Sequence, residues 1–138
     1  AIEGYDAGEG RLGVVVELNV DDVNGVDMSA LQTLSHDLAL QIASDSPNYI
    51  SQADIPADIL AEKQDELAAE LVLLDKPDAV KAKIVEGRMG KFYQSECLLE
   101  QSYLKDDAIS VGRLLRQASD QIGAVVEVVR FARFELHT

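Results

Sequence analysis

The side chains with the most chemical potential follow the apolar run LGVVVEL, in the stretch NVDDVNGVD. Carboxylate and amide oxygens beside a glycine are typical of a calcium loop. With Gly25 at the sixth position of an EF-hand loop, Asp22 and Asn24 occupy its third and fifth positions. Val20 and Leu31 then stand where the first ligand and the bidentate glutamate are required. A metal site is therefore not expected here, and the stretch remains a contact surface or a turn that ends a strand.

The other groups that could do chemistry are isolated from one another. His36 and His137 are far apart in the chain, with no Cys-x-x-Cys or His-x-x-x-His neighbour, so zinc has no ligand set. The helical period places His36 on a polar face, which indicates an exposed surface histidine. The glycine-rich run GEGRLG precedes a strand rather than a helix and cannot cradle phosphate. The sequence predicts no metal, no cofactor and no enzymatic activity.

Length and charge restrict the class of partner. The 138 residues suit one domain, residues 1–138, with 47% hydrophobic residues. Twenty-five acidic against twelve basic residues give a net charge of −13. Such a charge repels nucleic acid and anionic membranes, so neither is expected as a partner. A protein with a basic or mixed surface is favoured instead.

The single cysteine and the first residue bear on the compartment and on the origin of the chain. Cys97 lies in an apolar helical context, which predicts a reduced packing thiol. A reduced thiol fits a bacterial cytoplasm or the interior of a plastid or mitochondrion. The chain begins at Ala1 without a methionine, which suggests an excised domain or a processed product.

Hydrophobic periodicity predicts strands at both ends of the chain and helices between them. AIEGY and RLGVVVELNV flank the glycine-rich link DAGEG as a β-hairpin, whose second strand is central with one buried face. Asp27 is the predicted N-cap of a first helix, and Pro56 and Pro77 open a second and a third. Gly87 and Gly90 predict a bend or break in the third helix. Its residues Val80, Ile84, Val85, Met89 and Phe92, like Leu60, Leu67, Leu71 and Leu74 of the second helix, are predicted to face inward.

The C-terminal part predicts a fourth helix and a last strand. SVGRLLRQASDQIG reads as a helix closed by Gly123, and Asp106 and Asp107 before it read as a loop. AVVEVVRFARFEL reads as a long strand with mixed faces, which leaves room for partial cover by another protein. The order β-β-α-α-α-α-β, with helices packed on one face of the sheet, is α+β.

Several stretches together resemble one family, the dimerisation domain of translation elongation factor Ts. They are RLGVVVELN, HDLALQIA, KIVEGRMGKFYQSECLLEQSYLKDD and VRFARFEL, and the match covers essentially the whole chain in order. Ala79–Asp107 is the most specific segment. The resemblance implies a three-stranded antiparallel sheet with helices on one face, including a helical hairpin. It also implies a role as guanine-nucleotide exchange factor for elongation factor Tu in its GDP form, without covalent chemistry.

The resemblance also gives the opening stretch a meaning. Family members with the exchange determinant carry Thr-Asp-Phe-Val here, and their Asp-Phe pair enters the GTPase near its magnesium site. Those four positions fall on Asp22, Val23, Asn24 and Gly25, so the spacing is kept and the residues are changed. Because Asn24 buries far less apolar area than phenylalanine, exchange by this chain alone is expected to be weak.

Two functional hypotheses remain open at the level of sequence. The first is an exchange-factor domain that binds elongation factor Tu. The second is a diverged interaction module that serves as a structural subunit of a larger organellar assembly without exchange activity. Nothing in the sequence resembles the small ubiquitin-associated-like domain with which family members usually begin. Because short members of the family pair through this sheet, a homodimer is also expected.

Overall fold

The computed structural model describes residues 2–7, 12–21 and 25–135. Within these residues the chain folds into four α-helices and five strands in two antiparallel sheets. The elements are β1 (Ile2–Ala7), β2 (Leu12–Val20), α1 (Met28–Asp45), α2 (Ala57–Glu70), α3 (Asp78–Glu96), β3 (Ser102–Tyr103), β4 (Asp106–Ser110), α4 (Val111–Ile122) and β5 (Val126–Glu135). The predicted α+β class is confirmed.

The larger sheet has the order β1-β2-β5, so the strand predicted to be central lies between the two others. Val14, Val16 and Leu18 alternate along β2 and are all buried. This inner face packs under α1, which contributes buried leucines such as Leu34 and Leu38. Each such side chain adds roughly 1.5–3 kcal/mol of hydrophobic stabilisation, so the contact between β2 and α1 forms the centre of the core.

A β-bulge explains the mixed faces of the last strand. Glu17 pairs with Arg130 and Leu18 pairs with Val128, which leaves Val129 as an extra residue in β5. A residue inserted into a strand moves the later side chains to the opposite face. Val126 and Val128 therefore share the inner face with Phe131 and Arg133, while Arg130, Ala132 and Phe134 lie on the outer face.

The predicted N-cap of α1 and the predicted C-terminal end of α4 are confirmed. The Asp27 carboxylate accepts a hydrogen bond from the Ala30 amide at 3.1 Å, as an N-cap residue should. Ser110 caps α4 in the same way through the Arg113 amide at 3.1 Å. Gly123 ends α4 in the left-handed region at φ 91°, a conformation in which glycine has no steric cost.

The helical hairpin of α2 and α3 differs from the prediction in two respects. Pro56 and Pro77 precede the two helices as expected, but α3 continues through both predicted weak points without a break. The inward faces are also less buried than predicted, because the two helices pack mainly on each other. Of the residues predicted to face inward, Leu67, Leu71 and Met89 are buried, whereas Leu74 and Val80 are 38% and 40% exposed.

The smaller sheet, formed by β3 and β4, was missed by the sequence analysis. Asp106 and Asp107 lie in β4, where a loop was predicted. Two-residue β3 is too short to show a hydrophobic alternation, and β4 contains three exposed residues. The pairing of β3 with β4 is recognisable only once the chain has folded.

Candidate functional site

The four positions singled out by sequence lie between the end of β2 and the start of α1. Asp22, Val23 and Asn24 are outside the described residues. Gly25 is described and has φ 76°, a left-handed conformation that favours glycine. A Cβ atom on Gly25 would meet no atom within 4 Å, so conformation rather than space selects glycine at this position.

The N-terminal side of this segment is held by a reciprocal pair of hydrogen bonds. The Asp21 amide donates to the Val125 carbonyl at 3.3 Å, and the Val125 amide donates to Asp21 Oδ1 at 3.0 Å. One side chain therefore completes a bridge between the end of β2 and the turn before β5. We call the turn of residues 123–125 the α4–β5 turn.

The C-terminal side is held by the end of α4, next to the same turn. The Asp27 amide donates to the Ile122 carbonyl at 3.2 Å. The Gly25 carbonyl oxygen lies 3.8 Å from the position that a Cβ on Gly123 would occupy. Both sides of the three undescribed residues are thus joined to a single part of the fold.

The α4–β5 turn is itself ordered by Ser119. The Ser119 carbonyl accepts a hydrogen bond from the Gly123 amide at 2.9 Å. Its hydroxyl donates to the Leu115 carbonyl at 2.7 Å and accepts from the Val126 amide at 3.1 Å. A side chain that satisfies backbone groups on both sides of a turn restricts its conformations. The attachment point for residues Asp22–Gly25, which we call the motif-equivalent segment, is therefore well defined.

A groove of about 320 Å³ lies beside this site, between α1 and α4. Its carboxylates already have structural partners: Asp27 caps α1, and Asp37 pairs with Lys105 at 2.6 Å. No group of three or more metal-ligating side chains occurs in the part of the chain that the structure describes. His36 is exposed, as predicted, and His137 lies outside the described residues. The described carboxylates of this groove therefore serve as a helix cap and as an ion-pair partner.

The outer face of the larger sheet carries an exposed apolar surface. Val15 is 40% exposed and Phe134 59% exposed, and Ala132 lies on the same face. The charged pair Glu17–Arg130 crosses this face, and the side chains surround a cavity of about 240 Å³. We call these five residues the outer sheet patch.

None of the described helices is long and apolar enough to cross a membrane.

The sequence of the chain matches one family of known proteins. The family model for Elongation factor TS matches residues 1–138. The chain is 36% identical to elongation factor Ts of Moorella thermoacetica over 135 residues, which cover 98% of this chain and 66% of that protein. It is 37% identical to elongation factor Ts of Acetivibrio thermocellus over 134 residues, which cover 97% and 62%.

The chain belongs to the elongation factor Ts family. It is therefore related to proteins of translation elongation, and it spans less than two thirds of the length of the relatives just named. The assignment of Asp22–Gly25 as the counterpart of Thr-Asp-Phe-Val stays a prediction from the sequence. Asp21 and Val125 were not singled out from sequence, because 104 residues separate them and no local pattern links them.

Proposed function

We propose that this domain binds elongation factor Tu in its GDP form and promotes GDP release, with activity weakened by the changed motif. Membership of the elongation factor Ts family is the observation that carries the proposal. The anchoring of the motif-equivalent segment to the α4–β5 turn supports it, because a loop held at both sides loses less entropy on binding. The partner-binding residues are Asp22, Val23, Asn24 and Gly25.

The mechanism is a shift between two states of the GTPase. An exchange factor accelerates GDP release only if it binds the nucleotide-free state more tightly than the GDP state. Apolar contacts made in the nucleotide-free state provide that difference. Replacement of the family phenylalanine by Asn24 removes roughly 1.5–3 kcal/mol of such contact, which lowers exchange without removing the rest of the interface.

The test is the rate at which elongation factor Tu releases a fluorescent GDP analogue. The wild-type chain should bind at micromolar concentration and raise the release rate. The double variant Val23→Asp/Asn24→Phe should raise it about tenfold or more, since each 1.36 kcal/mol is a factor of ten in rate. Gln64→Phe, which adds an aromatic ring at an exposed position of α2, is the control and should behave as wild type. Absence of binding at micromolar concentration refutes the proposal.

A second candidate is an interaction module without exchange activity, a structural subunit of a larger organellar assembly. The change of the motif at Val23 and Asn24 favours it. This alternative predicts that the chain co-purifies with a stable complex that lacks the GTPase. It also predicts that Val23→Asp/Asn24→Phe leaves the release rate of GDP unchanged. The exchange-factor candidate fits a bacterial cytoplasm or an organelle interior, whereas a subunit of an organellar assembly requires an organelle interior.

The outer sheet patch supports a homodimer within the same proposal. An exposed phenylalanine and valine on one face of a sheet are the kind of apolar surface that a second sheet covers. The like charge of two copies, −13 each, opposes this association over long distances. We therefore propose a dimer that strengthens as salt screens the repulsion.

A further inference from the structure

A groove of about 400 Å³ lies between the two helices of the hairpin, α2 and α3. We call it the hairpin groove. Its wall on α3 consists of four residues with the spacing i, i+3, i+4 and i+7, which places them on one face of the helix: Arg88, Lys91, Phe92 and Ser95. Its wall on α2 includes Lys63 and Leu67, one helical turn apart. The volume between these two helical stripes is within the range of roughly 300–1,000 Å³ that is typical of small-molecule sites.

The charge of the hairpin groove is opposite to that of the protein as a whole. The net charge of the chain is −13, yet three of the four charged side chains that line the groove are cations: Lys63, Arg88 and Lys91. The fourth, Glu96, accepts a hydrogen bond from the side-chain amide of Asn48. Cations gathered along one concave surface attract an anion to it.

The three cations keep unused capacity for a ligand. Arg88 uses one of its five donors, in a contact of 3.0 Å between its Nη1 and Glu70 Oε2. Lys63 Nζ lies 3.6 Å from Glu66 Oε1, and Lys91 is exposed and forms no ion pair with any residue that the structure describes. The side chains of both ion pairs are 30% to 58% exposed, and ion pairs in contact with water are weak. A ligand with two negative charges can therefore replace these carboxylates.

Phe92 adds an aromatic surface to the hairpin groove. Its side chain is half-buried, and Lys63 Nζ lies 5.7 Å from the centroid of its ring. This distance is that of a cation–π contact, so a positive charge lies beside an apolar ring. The combination suits a ligand in which an anionic group is attached to a flat apolar body.

We propose that the hairpin groove binds a phosphate monoester with an aromatic body. Arg88 and Lys91 bind the phosphate group, and Phe92 contacts the aromatic body. A phosphate is favoured over a carboxylate because it carries about two negative charges and three acceptor oxygens, whereas a carboxylate carries only the single charge that Glu70 already supplies to Arg88. This site is separate from the proposed contact with elongation factor Tu and does not depend on it.

The experiment measures the dissociation constants of the whole chain for phenyl phosphate, inorganic phosphate and benzoate by isothermal titration calorimetry in a buffer without phosphate. Phenyl phosphate should have a Kd at least about tenfold lower than that of benzoate. Arg88→Gln/Lys91→Gln should raise the Kd for phenyl phosphate about tenfold or more. Lys76→Gln/Lys83→Gln, which makes the same change of charge in the hairpin outside the groove, is the matched control and should change it less than about twofold.

Two further variants distinguish a ligand site from a structural role. Glu70→Gln removes the charge that competes for Arg88 and should lower the Kd for phenyl phosphate about threefold. Glu86→Gln makes the same change of charge at an exposed position of α3 outside the groove and should have a smaller effect. Phe92→Leu should raise the Kd for phenyl phosphate and leave the Kd for inorganic phosphate unchanged.

Absence of saturable binding of phenyl phosphate at millimolar concentration overturns the inference. Equal losses in the two double lysine and arginine variants also overturn it, because they indicate attraction by charge without a site. An equal Kd for phenyl phosphate and benzoate overturns the assignment of a phosphate. Thermal unfolding of each variant establishes that it is folded. If the Arg88→Gln/Lys91→Gln variant unfolds, the exposed substitution Lys91→Gln provides the test against Lys83→Gln and should raise the Kd about threefold or more.

Discussion

Cys97 illustrates how a single residue can be kept chemically inert by its surroundings. Its side chain is fully buried, and its amide donates to the Tyr93 carbonyl at 2.9 Å. Burial, followed by the charges of Glu100, Glu96 and Asp54, raises the pKa of the thiol from 9.0 to about 11. Because the thiolate is the reactive form, the packing role predicted from sequence is confirmed.

This pKa makes stability fall at alkaline pH. The unfolded thiol loses its proton near pH 9 and the folded thiol near pH 11, so the folded state binds more protons in that interval. The contribution of the Cys97 thiol to the free energy of unfolding is fully present below about pH 9 and is lost as pH rises towards 11. Urea unfolding should show a smaller decrease across this interval for Cys97→Ala than for wild type. The variant should be less stable at neutral pH because of the cavity that it leaves.

Parallel pH profiles for the two proteins would contradict this explanation. Tyr103 provides a control in a higher interval. Burial is the main cause that raises the pKa of Tyr103 from 10.0 to about 12. The negative charge of Asp37 and the hydrogen bond with Asp37 contribute to the same rise. Tyr103→Phe should therefore flatten the profile mainly above pH 10.

At the scale of elements, a buried amide joins α1 to the smaller sheet. Gln41 is completely buried, and its Nε2 donates to Asp45 Oδ2 at 2.7 Å and to the Ser102 carbonyl at 3.0 Å. Its Oε1 accepts from the Leu104 amide at 2.7 Å. Gln101, also buried, extends the network to the Ser95 carbonyl at 3.0 Å. The network satisfies backbone groups that β3 and β4, with their short pairing, cannot satisfy alone.

Gln41→Leu should lower the free energy of unfolding by about 1–3 kcal/mol, because the partly buried Ser102 carbonyl and Leu104 amide lose their hydrogen-bond partner. Gln32→Leu, at an exposed position of the same helix, should change it by less than about 0.5 kcal/mol. Chemical denaturation measures both. Equal effects of the two substitutions would show that the network contributes nothing beyond helix propensity.

At the scale of the whole molecule, the net charge opposes the association of two copies, whereas the exposed apolar surface favours it. The net charge is −13, yet the outer sheet patch contains an exposed phenylalanine, a valine and a Glu17–Arg130 pair that is internally neutral. A neutral apolar patch is the part of such a surface at which a second copy meets the least repulsion. Screening by salt shortens the range of the remaining repulsion to about 8 Å at physiological ionic strength.

Sedimentation velocity should detect a dimer whose dissociation constant decreases as salt is raised from about 0.05 M to about 0.5 M. Phe134→Asp should abolish the dimer by placing a charge in the buried interface. Leu73→Asp adds the same charge at an exposed site outside the sheet and should leave the dimer unchanged. A monomer at all salt concentrations, or equal effects of both variants, would contradict the dimer.

The sequence by itself determined the α+β class, the caps at Asp27 and Gly123, and the central strand with its buried valines. These features depend on neighbours within about four residues or on a period of two, which the sequence displays directly. Tertiary structure alone decided the bulge at Val129 and the attachment of Asp21 to Val125, across 104 residues. It also decided how much of the hairpin is buried. Pairings between distant segments and the cover over each face arise only when the chain has folded, because no local pattern specifies them.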